Sequence, residues 1–180
     1  MKGSLPTPHD LAYGGLFGAM ALLLPTVFHL VHLGHVFMPM YLPLVALAFF
    51  VAPATAAGTA LVVPLLSGLV TGMPPFYPPV APIMSLELAL MAGLIGVARR
   101  LFSPLSVWWI LIPVLLIGRI VGFGLVYAFA LIMDLPAGYV AGASLLSGWP
   151  GIVLMLIVIP PLVRLTGPNR KRAGERKDTP

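Results

Sequence analysis

Residues 11–33 run for the width of a bilayer without one charged side chain, and further apolar runs follow at 36–51, 59–71, 83–98, 105–133 and 139–165. A helix crosses a hydrocarbon core of about 30 Å with about 20 apolar residues. Helices are the natural form for such runs, because every backbone N–H and C=O must be satisfied within the span. Composition points the same way: the chain is 59% hydrophobic and 8% charged, whereas a soluble domain carries about 25% charged residues. That balance excludes an ordinary water-soluble fold, and it is too apolar for a disordered chain. With no cysteine, disulfides, thiolate metal centres and thiol nucleophiles are also excluded. The sequence therefore predicts an all-α integral membrane protein with a single membrane domain over residues 1–165. Residues 166–180 form a basic tail with the composition of a disordered segment.

Charge placement sets the number and direction of the spans. Treated as one helix, the 36 residues 36–71 would make a rod of about 54 Å, so two helices with a tight turn near Pro53 fit better, Pro53 and Gly58 being the turn candidates. Six spans put the amino terminus, Arg99, Arg100 and the carboxyl tail on one side, together with nine of the ten basic residues. By the positive-inside rule that side is cytoplasmic. The prediction is six transmembrane helices with both termini inside. The first run exceeds the 7–15 residues of a signal-peptide core and is expected to remain in the protein. The outer face then carries three loops: one around His32 and His35, the proline-rich stretch 73–82, and residues 134–138. The five prolines in the second loop preclude a regular helix and make it stiff. The basic excess forms no face interleaved with stacking aromatics, so no nucleic-acid partner is expected.

An ionisable residue inside a span is a functional candidate, because keeping it there is costly. Glu87 and Arg119 are the two clear cases, both placed by helical rise in the outer half of the membrane. They can form a structural ion pair, contact a polar ligand, or do both. His29, His32 and His35 recur every three residues near the outer end of the first helix and can meet a ligand there. Without a nearby carboxylate or thiolate they make a weak metal motif, so no metal and no cofactor is predicted. Met73, Phe76, Tyr77 and Trp149 offer an apolar, stacking wall for a flat ring. On the first helix, Gly14/Gly18 and Gly15/Ala19 are small-xxx-small pairs that admit a neighbouring helix, either within the chain or from a partner. No HExxH, GxSxG or P-loop sequence occurs, so no catalytic residue is assigned, and uphill transport would need energy from a partner or an ion.

Six short helices with a small-residue first helix resemble the substrate-binding S component of energy-coupling factor (ECF) vitamin transporters. Val36-Phe-Met-Pro-Met-Tyr-Leu-Pro43 is similar to a Phe-Leu-Pro-Met-His-Ile-Pro type stretch of one S-component subgroup, with Tyr41 where that subgroup often has His. Pro64-Leu-Leu-Ser-Gly-Leu-Val-Thr-Gly-Met-Pro-Pro75, followed by a Glu in the next helix, resembles the same subgroup. The likeness covers residues 11–100. It implies a high-affinity binder of a vitamin or precursor, with a cobalamin-related compound as the favoured ligand, held near the outer face. It also implies a membrane coupling subunit (T component), met by Gly14, Gly15, Gly18 and Ala19, and two cytoplasmic ATPases, so the chain itself is not an enzyme. Two rival readings are an intramembrane enzyme acting on a lipid through Glu87 and a histidine, and a structural subunit of a membrane complex.

Overall fold

The computed structural model describes residues 6–30, 38–102, 105–134 and 148–166. Those residues form six helices: α1 (Pro8–Leu30), α2 (Tyr41–Leu47), α3 (Pro53–Thr71), α4 (Val80–Leu101), α5 (Val107–Ile132) and α6 (Trp149–Thr166), with no strand among them. Five of the six, all but α2, are long and apolar enough to cross a membrane. Their outward faces carry large apolar side chains, such as Leu23 on α1, Val70 on α3 and Ile120 on α5. Lipid, not water, suits such a surface.

The start of α1 is fixed by a reciprocal cap. Thr7 Oγ1 accepts from the Asp10 N–H at 3.2 Å, while the Asp10 carboxylate accepts from the Thr7 N–H at 3.1 Å and its hydroxyl at 2.8 Å. This is the capping-box arrangement, which satisfies donors that the first turn leaves unpaired, with Pro8 at the first helical position where its missing N–H does no harm. The other carboxylate oxygen of Asp10 accepts from the Ala52 N–H at 3.0 Å, so one buried side chain ties α1 to the start of α3. Beside it, Phe50 lies against Tyr13 and Phe17, with ring centroids 5.9 and 5.6 Å apart.

Two expectations need correction. Pro53 and Gly58 are not turn residues: the extended Ala52 caps α3, Pro53 opens it, and Gly58 lies within it. Proline fits the first turn of a helix because that N–H has no intrahelical partner. The second apolar run also differs from a full span. Within its described part only the seven residues Tyr41–Leu47 are helical, bracketed by turns at 39–40 and 48–50. Residues 31–37 lie outside the described residues. Tyr41 and the residues from Pro43 to Leu47 are buried, so α2 is enclosed by the other helices. A segment surrounded by protein does not need the length of a lipid-facing span.

Contacts give α2 its direction. Met38 touches Arg119 of α5, Tyr41 bonds to Glu87 of α4, the Ala48 carbonyl accepts from Arg99 Nη1 at 3.5 Å, and Ala52 reaches Asp10. Residues 38–52 thus run from the middle of the bundle to the end where α1 begins and α4 finishes. The α3–α4 contact is the most extensive among the described helices, and small residues permit it. A Cβ at Gly96 would stand 2.7 Å from Pro53 Cα, so the two backbones meet there directly.

Candidate functional site

At the end of the bundle opposite Asp10, the helices part around a cavity of about 490 Å³. Pro25 of α1 borders it, as do residues 38–41 leading into α2, the connection after α3, the first two turns of α4 and the second half of α5. Six lining residues are proline (Pro25, Pro39, Pro74, Pro75, Pro78, Pro79) and five are methionine (Met38, Met40, Met73, Met84, Met133). Three side chains bring polarity: Tyr41, Glu87 and Arg119.

The proline-rich connection is held by its neighbours as well as by its own rings. Gly72 adopts a left-handed φ of 74° and donates to the Gly68 carbonyl, ending α3. This is the usual role of glycine at a helix terminus. Ser67 Oγ donates to the Met73 carbonyl at 2.6 Å, and Thr71 Oγ1 donates to the same carbonyl at 3.0 Å. The Ala81 N–H returns to the Pro75 carbonyl at 3.0 Å. The expectation of a stiff, non-helical loop fits residues 72–79, but α4 begins at Val80 and takes Pro82 into its first turn, where proline is tolerated.

Glu87 lies seven residues into α4, about 10 Å along its axis, and is only 6% exposed. Its Oε2 accepts a 2.8 Å hydrogen bond from the Tyr41 hydroxyl. Gly122 on α5 makes room for the carboxylate, since a Cβ there would stand 2.7 Å from Oε2 and 2.9 Å from Cδ. Arg119 lies one turn before Gly122 on α5 and lines the same cavity as Tyr41 and Glu87. Its Nη2 donates to the Met38 sulfur at 3.3 Å. The backbone of Gly148, just before α6, lies against the Arg119 guanidinium and Met38, leaving no space for a Cβ.

The structure therefore brings Glu87 and Arg119 into one cavity, together with Met73. The hydrogen-bond partner of Glu87 is Tyr41, a residue that sequence reasoning left without a role. Tyr77 is 76% exposed and Trp149 50%; neither they nor Phe76 line the cavity. The cavity lining is instead dominated by proline and methionine side chains. His32 and His35 lie outside the described residues, as does the side chain of His29, although its backbone closes α1. Among the described residues no three His, Cys, Asp or Glu side chains come together.

The four small residues of α1 divide between two faces. Gly14 and Gly18 are buried: a Cβ would stand 3.2 Å from Thr59 Oγ1 at Gly14 and 3.4 Å from Val63 Cγ2 at Gly18. These two serve the α1–α3 contact, which corrects the expectation that all four face a partner. Gly15 and Ala19 are exposed, and nothing lies within 4 Å of a Cβ at Gly15.

Comparison with protein-family models, curated proteins and solved structures finds no match.

Proposed function

We propose that this protein captures a small molecule from outside a prokaryotic cytoplasmic membrane and serves as the S component of an ECF-type importer. The carrying observation is the cavity itself: an apolar chamber at one end of the bundle with a buried carboxylate and a guanidinium at its inner limit. A concave, mostly apolar site with a few convergent polar groups is the general form of a small-molecule site. The two intramembrane charges thereby gain a use beyond tying helices together.

Six passes with both termini inside remain the reading that best accommodates the charges. The described residues 38–52 lead to the start of α3, with α2 as the inner part of the second pass. Arg99 and Arg100 in the last turn of α4 and Arg164 in the last turn of α6 then lie with the basic tail on the cytoplasmic side. The cavity opens outward. The exposed face of Gly15 and Ala19 suits close approach by a T component in the membrane, and two ATPases supply the energy that this chain has no motif to supply.

A cobalamin-related compound remains the ligand that the resemblance favours. Isolation of the protein from its own membranes in a mild detergent tests the assignment. A membrane coupling subunit and nucleotide-binding ATPases should co-purify, and uptake by the reconstituted assembly should require ATP. Isolation without ATPase subunits, combined with ATP-independent uptake, would refute membership of such an importer.

A further inference from the structure

Two close contacts fix how α4 and α5 stand against each other. A Cβ at Gly122 would lie 2.7 Å from Glu87 Oε2, and one at Gly118 would lie 2.8 Å from Met91 Cγ. Glu87 is therefore level with Gly122, and Met91, four residues on, with Gly118, four residues back. Continued along these antiparallel helices, the same register sets Trp109 level with Arg100 and Tyr127 level with Pro82.

The outward face of α5 repeats at helical spacing. Trp109, Leu116, Ile120, Phe123 and Tyr127 are all exposed, at intervals that keep them on one side of the helix. Between its two ends this stripe is wholly apolar. Each end is a ring with a polar tip, the indole of Trp109, 73% exposed, and the phenol of Tyr127, 42% exposed. The eighteen residues from one to the other span about 27 Å, close to the hydrocarbon thickness of about 30 Å. Such rings favour the boundary between headgroups and hydrocarbon. Arg100 is exposed at the Trp109 level, where a guanidinium reaches lipid phosphate while its stem covers apolar surface. Among the described residues no Lys or Arg stands at the Tyr127 level.

We infer that Trp109 and Arg100 engage the phospholipid headgroups of one leaflet, and Tyr127 those of the other. Glu87 follows Pro82 by five residues, so it lies about 8 Å beneath the Tyr127 layer. The cavity, which extends from Glu87 and Arg119 to Pro78 and Met133, crosses that headgroup layer. Trp149 provides the contrast. It follows Gly148, whose backbone lies against Arg119. Along α5, Arg119 is about 12 Å from Tyr127 and about 15 Å from Trp109. Trp149, 50% exposed, thus stands near the middle of the hydrocarbon. This placement holds whatever the cavity binds.

Depth-dependent fluorescence quenching tests it on the full-length protein in phosphatidylcholine vesicles, with bromine placed either near the headgroup or near the end of the acyl chains. Three proteins with one tryptophan each are compared: one keeps Trp109, one keeps Trp149, and one carries Tyr127→Trp, every other tryptophan being replaced by Phe. The first and third should lose more emission to shallow bromine, and the Trp149 protein more to deep bromine. Equal quenching at both depths in the first or third, or stronger quenching there by deep bromine, would overturn the placement. Stronger quenching of Trp149 by shallow bromine would overturn the depth given to the cavity floor. A second measurement needs no substitution. In bilayers of graded acyl-chain length, the unmodified protein should unfold at the highest temperature where the hydrocarbon is about 27 Å thick. A maximum in much thinner or thicker bilayers would overturn the spacing of the two layers.

Discussion

Glu87 is tolerated about two turns inside α4 because two neighbours accommodate it: Tyr41 donates to it and Gly122 leaves space for it. Tyr41→Phe removes the donor and leaves a buried acceptor, so stability should fall by about 1.5–3 kcal/mol, the usual range for a hydrogen bond to a charged group. Thermal unfolding in detergent measures this. Gly122→Ala places a methyl group 2.7 Å from Oε2 and should lower the unfolding midpoint in the native background. In a Glu87→Ala background it should have little effect, because the clash is gone. Additive effects would show that the two positions are independent. Glu87 and Arg119 are legible in the sequence because charge is conspicuous in an apolar run. Tyr41 is not, since tyrosine sits easily in such a run and only the fold brings it to Glu87, 46 residues away. Tyr77 and Trp149 lie outside the cavity lining, because position along the chain near a loop does not determine which way a ring points.

At the scale of elements, α1 shows how small residues separate into two roles. Gly18→Leu should destabilise the isolated protein, because Val63 leaves no room and overpacking typically costs about 1–3 kcal/mol. Gly15→Leu should leave the unfolding midpoint unchanged, since nothing lies within 4 Å, and should instead impair assembly with a membrane partner. Equal destabilisation by both changes would contradict the two-face description. The small-xxx-small pattern was visible in the sequence, but its orientation depends on where α3 packs. Asp10→Ala should loosen both ends it joins, the start of α1 and the α2–α3 connection, by about 1–3 kcal/mol. Protease cleavage between α2 and α3 offers a local readout. The long helices were legible to within a few residues, apart from α3 and the start of α6. Their apolar length is dictated by the bilayer, whereas α2, enclosed by protein, is under no such rule.

The whole molecule is a bundle with one tied end and one open end. Asp10, Ala52, Phe50 and Arg99 hold the first together, and the cavity occupies the second. The proposed six passes place the tied end inside. Because the chain has no cysteine, single cysteines at Tyr77 and Arg176 give a clean test with an impermeant thiol reagent on intact cells. Tyr77→Cys should label at once and Arg176→Cys only after permeabilisation; the reverse pattern would invert the topology. The central claim, that the open end is built to hold a small molecule, is tested most directly by native mass spectrometry of the protein released from its own membranes. The expected spectrum shows one adduct of a few hundred daltons per chain, lost in Glu87→Leu. Ligand-free protein alone, or adducts retained equally by Glu87→Leu, would contradict it.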